Sequence, residues 1–256
     1  MKCVILAAGY ATRLRPLTDD VPKHLLPVGG RPMLDWVLDA VREVADMDEV
    51  HLVTNSRFAP AFEQWAEANG VAVHDDGTRS NDDRLGAVGD LRLAIEAAGL
   101  QSDELVVLAG DNLFDFSLTG FAEWWRSKRQ PASAVPLHDI GDLELAKQYG
   151  IAETDAGDRI VGFVEKPSEP SSTLASTLIY LLPPEHVRLV ETYLDEGMSP
   201  DNAGSFLGWL AEREPVYGYR FEGPWYDIGD RTQLLEADNR LRRLAGLPAR
   251  ESYSLD

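Results

Sequence analysis

From Leu6 to Gly30 the chain reads LAAGYATRLRPLTDDVPKHLLPVGG, placing Gly9, Thr12, Arg13, Arg15 and Lys23 directly behind an apolar run. Glycine lets a backbone approach a ligand closely, and hydroxyl, guanidinium and ammonium groups all donate to oxyanions. Over residues 1–31 five basic residues stand against two acidic ones, in a chain whose formal net charge is -19. A positive island in so acidic a chain is informative, because the surrounding field repels anions wherever cations do not locally outweigh it. The stretch is therefore a candidate anion site, and phosphate is the anion it suits. Its spacing matches neither the G-x-x-x-x-G-K-[ST] nor the G-x-G-x-x-G pattern, so residue types alone specify phosphate and nothing finer.

Other groups able to do chemistry are scattered. Asp111 follows the apolar run LVVLAG, although an aspartate before Asn112 also fits a turn cap. Asp227 sits between Tyr226 and Ile228, an expensive place for an unpaired carboxylate if the segment is buried. Lys166 before Pro167 reads equally as an ordinary surface cation, and Tyr149, Trp225 and Tyr226 as core or pocket wall. His24, His51, His74, His138 and His186 show no metal-ligand spacing, which argues against zinc. The one cysteine, Cys3, lies in the first apolar run, can form no intrachain disulfide and takes no chemical role.

These groups need a scaffold, and 256 residues with 44% hydrophobic content are enough for a full core. No long uncharged apolar run or signal-peptide pattern occurs, so the expectation is a cytoplasmic protein without a membrane partner. The acidic balance argues against nucleic acid. Apolar runs at 2–8, 49–55, 71–75 and 103–112 read as strands, alternating with helical periodicity at 33–44, 58–69 and 84–98, the last two closed by Gly70 and Gly99. That alternation predicts a parallel sheet with helices on both faces. The second half is less regular. Strands are predicted at 132–139, 149–154, 159–167, 177–183 and 215–223, and helices at 121–130, 184–196, 203–213 and 232–244. In an open parallel sheet, ligands sit outside the carboxyl ends of the strands, and residues 6–30 form the first such loop.

Four segments carry a resemblance. LAAGYATRLRPLTDDVPKHLLPVGGRPML is similar to the signature of the sugar-1-phosphate nucleotidyltransferases, roughly L-A-x-G-x-G-T-R-L-x-P-x-T followed by P-K and L-P-V. LVVLAGDN resembles the family's metal-binding strand end, VEKP its sugar-phosphate loop, and GPWYDIGD the segment with its second metal carboxylate, all in the family's order. The resemblance implies an α/β fold, a Rossmann-like three-layer α/β/α unit with a mostly parallel mixed central sheet. It implies a single nucleotidyltransferase unit over 1–256, with a nucleotide-binding half at 1–115 and a sugar-phosphate half with a closing helix at 116–256. Without hexapeptide repeats, no C-terminal β-helix domain is expected.

Carried over position by position, the resemblance gives Ala8, Gly9, Thr12, Arg13 and Lys23 to the nucleotide, with Asn81 and Gly86 near its base. Gly150, Glu165 and Lys166 go to the sugar phosphate, and Asp111 and Asp227 to a Mg²⁺ ion. Arg13, Lys23, Asp111, Lys166 and Asp227 are the expected catalytic set. The implied reaction joins a nucleoside triphosphate to a sugar-1-phosphate with loss of pyrophosphate, UTP or dTTP and a hexose-1-phosphate being favoured. Two other readings compete. A silent nucleotide-sugar-binding subunit has no need of these charged residues, yet all are present; a glycosyltransferase should show D-x-D where AGDN supplies one carboxylate. Three departures leave base and sugar open: Ala11 replaces a second glycine, Thr177 replaces the glycine of a T-G-x-Y stretch, and residues 75–90 differ from Q-x-P-x-G-L-A. A homo-oligomer is compatible with the pattern.

Overall fold

Strand β1 (Lys2–Leu6) is apolar on both faces: Cys3 and Ile5 enter one core, Val4 and Leu6 another. A strand buried on both sides is the expected centre of a layered α/β unit. In the computed structural model, which describes residues 1–255, it is indeed central; Asp256, the last residue of the predicted second half, lies outside the described residues. A short hairpin, β2 (Pro27–Val28) with β3 (Arg31–Pro32), leads into α1 (Met33–Arg42). Then follow β4 (Glu49–Thr54), α2 (Ala59–Asn69), β5 (Ala72–Asp75), α3 (Ala87–Ala98) and β6 (Leu105–Ala109). Gly70 and Gly99 end α2 and α3 at φ +59° and +68°, the left-handed conformation that stops a helix and that glycine adopts freely.

The second half comprises β7 (Asn112–Phe114), α4 (Leu118–Arg126), β8 (Ser133–Asp139), α5 (Leu143–Ala146), β9 (Gly150–Thr154), β10 (Ile160–Glu165), β11 (Leu174–Ser176) and β12 (Ile179–Leu182). These are followed by α6 (Pro184–Val187), α7 (Leu189–Asp195), α8 (Ala203–Ala211), β13 (Val216–Phe221), β14 (Trp225–Asp227) and α9 (Arg231–Leu244). One ten-stranded sheet runs β10-β9-β11-β8-β12-β6-β1-β4-β5, with β13 paired to β8. Seven strands point one way, and β10, β11 and β12 run against them, so the sheet is mixed and mostly parallel. One face packs on α1, α2, α4 and α9, the other on α3, α7 and α8. This is the expected three-layer α/β/α architecture. Among the described residues no helix is long and apolar enough to cross a membrane.

Several elements differ from expectation. The helix predicted over 84–98 starts only at Ala87, because Gly86 takes φ +84°, outside the helical region. The helix predicted over 184–196 breaks into α6 and α7 around Arg188. β11 and the small β7–β14 pair have no counterpart in the predicted strands. Strands of three residues are too short to carry periodicity, so only a neighbouring strand defines such an element.

Candidate active site

The loop after β1 is held by its apolar residues. Leu14, Leu26 and Val28 are fully buried, while the residues between them form two short 3-10 turns, Thr12–Leu14 and Lys23–Leu25. Ala11 adopts φ +46°, ψ +43°, a left-handed backbone that glycine takes freely and that costs an L-residue about 1–2 kcal/mol. Thr18 Oγ1 donates to the Ala11 carbonyl at 2.9 Å and braces that strained residue. The loop thereby fixes Arg13 and Lys23 at the rim of a cleft of about 690 Å³, on the carboxyl-end side of β1 and β6.

Two carboxylates meet on the floor. Pairing of β7 with β14 sets Asp227 opposite Asn112, and the Ile228 N–H donates to the Asp111 carbonyl at 3.2 Å. Lys23 Nζ pairs with Asp111 Oδ2 and also donates to the Ile228 carbonyl at 3.0 Å, so one ammonium ties the first loop to both acidic segments. Trp225 Nε1 donates to Asn112 Oδ1 at 2.7 Å, and the Asn112 amide donates to Asp111 Oδ1 at 3.2 Å. The indole thus sets which way the amide turns and, through it, the carboxylate. Burial opposes ionisation of Asp111, but the Lys23 ammonium beside it holds its carboxyl below the usual range. Burial and then the Asp111 charge push Asp227 up to about 6, against the opposing pull of Lys23, Arg13 and Lys166. Three cations from three distant segments therefore act on Asp227, and one of them, Lys23, acts on Asp111 as well. Beneath it the His24 imidazole is buried and held neutral, its pKa driven down to about 3 by burial and the adjacent Lys23.

The opposite wall is built by the β9–β10 pair. Glu165 stands in register with Gly150, where a Cβ would come within 2.8 Å of Glu165 Oε2. A Cβ on Gly204, in the first turn of α8, would overlap the same oxygen, so two glycines shape the space that Glu165 fills. Burial pushes the Glu165 carboxyl up in spite of Lys166, whose Nζ lies 3.8 Å away. The Lys166 N–H donates to the Tyr149 carbonyl at 3.0 Å, and its backbone is left-handed at φ +49°. Strain of this kind costs about 1–3 kcal/mol and persists where the surroundings over-determine it.

Ten of the twelve expected site residues line this one cleft: Ala8, Gly9, Arg13, Lys23, Gly86, Asp111, Gly150, Glu165, Lys166 and Asp227. Thr12 and Asn81 do not. Thr12 is exposed at the head of its 3-10 turn, and Asn81 is exposed in the turn before α3, where its carbonyl accepts from Arg84 Nη1 at 2.9 Å. Thr177 is fully buried with its hydroxyl donating to the Pro136 carbonyl at 3.2 Å; Ser176 and Leu178 line the cleft in its place. Sequence reasoning missed the wall residues Arg84, Asp90, Lys147 and Gln233. Only Asp90 left a trace there, as an acid between Val88 and Leu91 on the apolar face of α3.

Fold and site together define an α/β protein with one cleft of about 690 Å³, lined by cations and floored by two carboxylates. A model of the nucleotidyl transferase family matches residues 2–243, and the chain belongs to that family. It is 32% identical over 241 residues to a UTP–glucose-1-phosphate uridylyltransferase of Synechocystis, covering 90% of this chain and 60% of the relative. It is 30% identical over 243 residues to a mannose-1-phosphate guanyltransferase of Yarrowia lipolytica, covering 92% of this chain and 62% of the relative. The chain thus spans about three-fifths of the length of these relatives. A Bacillus anthracis structure provisionally named a glucose-1-phosphate thymidylyltransferase, solved with sucrose, superposes with a TM-score of 0.81 at 26% identity, over 94% of this chain and 95% of the other.

Proposed function

We propose that this chain transfers a nucleotidyl group from a nucleoside triphosphate to a sugar-1-phosphate, releasing pyrophosphate, with UTP or dTTP and a hexose-1-phosphate as the first pair to test. The observation that carries this reading is that Arg13, Lys23 and Lys166 line one cleft with Asp111 and Asp227 and all three act on Asp227. In this reading residues 1–115 hold the triphosphate and the remainder receives the sugar phosphate. An oxygen of the sugar phosphate bonds to the α-phosphorus as that phosphorus loses its bond to the pyrophosphate oxygen, whose electron pair leaves with pyrophosphate. The attacking group needs no base, since a phosphate monoester has a second pKa of about 6 and is ionised at neutral pH. What remains is in-line positioning and neutralisation of crowded negative charge. Arg13 offers a planar fork to bridging oxygens, Lys23 a point charge on the triphosphate side, and Lys166 one on the sugar-phosphate side.

The carboxylate pair fits a magnesium ion. Its donors are hard oxygens, and Asp227, raised first by burial and then by the Asp111 charge, is a carboxylate whose ionised form a cation would favour. Among the described residues no third His, Cys, Asp or Glu completes a metal cluster, so Asp111 and Asp227 are the side chains that would hold the ion. When bound, magnesium supplies additional neutralisation of the phosphate oxygens.

The reaction is tested by pyrophosphate release across the five common nucleoside triphosphates and a set of sugar-1-phosphates and phospho-alditols, at low and high salt. Mg²⁺-dependent release with at least one pair is expected; none from any pair overturns the reading, and free nucleoside diphosphate as product redirects it to glycosyl transfer.

Metal linkage has a definite sign. The folded pKa of Asp227 is raised, so the stability this group contributes is present at low pH and lost as pH rises through about 6. A cation binds the ionised form and so reverses that loss. The increase in melting temperature produced by Mg²⁺ should be small at pH 5 and level off above pH 7. A constant increment over that range removes Asp227 from the metal set.

Gly204→Ala separates the two substrates. Its Cβ displaces the end of the Glu165 side chain, which can swing without unfolding α8. KM for the sugar-1-phosphate should rise roughly tenfold or more while KM for the triphosphate stays within about twofold, a loss of binding at one substrate alone. Equal changes in both would place Glu165 outside the sugar-phosphate subsite.

A further inference from the structure

One carboxyl group on the cleft wall has no part in this mechanism. Asp90 lies one helical turn beyond Gly86 on the same face of α3, and it shares the wall with Leu6, Ala8 and Gly86. It is only 6% exposed. Among the described residues no backbone N–H and no cation reaches it, and the polar side chain it contacts is the carboxyl of Asp76, just beyond β5. Asp90 Oδ1 and Asp76 Oδ2 are both buried, and no other group of the described residues donates to either. Asp76 accepts from the Thr78 N–H at 2.7 Å, and Thr78 Oγ1 meets the Tyr10 hydroxyl at 3.0 Å, which ties the pair to the first loop beside Gly9.

Two carboxyl groups in hydrogen-bond contact are held together by one proton between them. Burial and Asp76 hold Asp90 up to about 7, in keeping with a proton kept by the pair near neutral pH. Asp90 Oδ1 and Asp76 Oδ2, the two buried oxygens, are the pair such a proton joins, and among the described residues no group donates to the other Asp90 oxygen, Oδ2. A ligand that covers this oxygen without donating to it leaves it unmatched, which is costly, whereas a donor on the ligand removes that cost. The ligand part concerned is not phosphate. Arg13, Lys23 and Lys166 all act on Asp227 and none acts on Asp90, and an acidic pair repels anions. The flanking Leu6, Ala8 and Gly86 suit a flat ring.

We propose that Asp90 reads the nucleobase by accepting a hydrogen bond from a ring N–H, and so selects uracil, thymine or guanine over adenine and cytosine. The first three present a ring N–H at the pairing edge. Adenine and cytosine present a bare ring nitrogen there, whose lone pair opposes a carboxyl acceptor even though an amino group lies beside it. This assignment rests on the nucleotidyl-transfer reading for what enters the cleft, but it concerns binding and is measurable without turnover.

Calorimetric titration of the whole chain with UTP, dTTP, GTP, ATP and CTP in Mg²⁺ tests it. The tightest of UTP, dTTP and GTP should bind at least tenfold more strongly than ATP and CTP. Asp90→Asn, whose amide donates as well as accepts, should narrow that ratio at least tenfold, and Asp90→Ala should weaken the preferred nucleotide without strengthening the others. On the unmodified protein, which removes any question of misfolding, methylating the ring nitrogen of the preferred nucleotide (3-methyl-UTP, 3-methyl-dTTP or 1-methyl-GTP) should cost at least tenfold in affinity. The proposal is overturned if the methylated nucleotide binds as well as its parent, if ATP or CTP binds best, or if the ratio survives in a folded Asp90→Asn protein. An equal loss for all five nucleotides in that variant assigns Asp90 to the ribose or to packing, and equally overturns it. Pyrophosphate release without base discrimination defeats this proposal alone, whereas failure to bind any triphosphate defeats the nucleotidyl-transfer reading and this one with it.

Discussion

Asp227→Asn should lower pyrophosphate release by about a thousandfold and at the same time leave the metal-free protein as stable as before or more so at pH 7 to 8. The activity loss follows from removing one of two carboxylates that would hold the cation; metal stabilisation of phosphate charge is worth several kcal/mol, and about 4 kcal/mol corresponds to three orders of magnitude in rate. The stability change follows from the raised Asp227 pKa. Ionising this half-buried group beside Asp111 costs the fold free energy, and the isosteric amide removes that cost. Asp111→Asn should differ: it abolishes activity to a similar extent but strips Lys23 of its ion-pair partner, so its melting temperature should fall. Thermal melts beside a pyrophosphate assay check both. A pair of variants with identical stability shifts would refute the electrostatic account, and near-full activity in either would remove it from the metal set.

Arg13→Ala should reduce kcat by about 100- to 1000-fold, the usual cost of deleting one preorganised group that stabilises developing charge. Its melting temperature should change little. Arg13 is exposed and has no ion-pair partner among the described residues, and its charge acts on the fold only through its pull on Asp227. Arg13→Lys should recover only part of the loss, because an ammonium cannot bridge two oxygens as a planar fork does. Steady-state kinetics on both variants decide the matter: an alanine protein with more than a tenth of the original kcat would leave Arg13 as a solvated rim charge.

The acidic balance of the chain makes these cations conspicuous. At a net charge of -19 the protein as a whole repels both proposed substrates, and the cleft is where basic groups gather to offset that field. Raised salt screens the repulsion at long range more than it weakens the short contacts inside the cleft. This is the reason salt belongs in the substrate screen.

Much of the fold was legible because its determinants are local. β1 and β6 are unbroken apolar runs, α2 and α3 end at glycines that take left-handed φ, and the first loop alternates buried leucines with donors. These features declare themselves within a few residues, and they suffice to place an anion site after the first strand. Thr12 and Asn81 were misplaced relative to the cleft for a related reason. Residue type shows that a side chain can donate, whereas the turn geometry decides which way it faces.

Asp227 is the clearest case of what only the tertiary structure decided. Nothing near it in the chain says that it lies beside Asp111; a three-residue pairing of β14 with β7 brings the two together, and strands that short have no periodicity of their own. The same holds for Glu165, whose place is set by glycines at 150 and 204, and for Asp90, which reaches Asp76 only because α3 packs across β5. The sequence by itself determined the layers, the order of the elements and the chemical character of the first loop, since burial and backbone propensity act along the chain. The tertiary structure decided which distant charges share a cleft, because their energies depend on separation and desolvation that exist only once the sheet is formed.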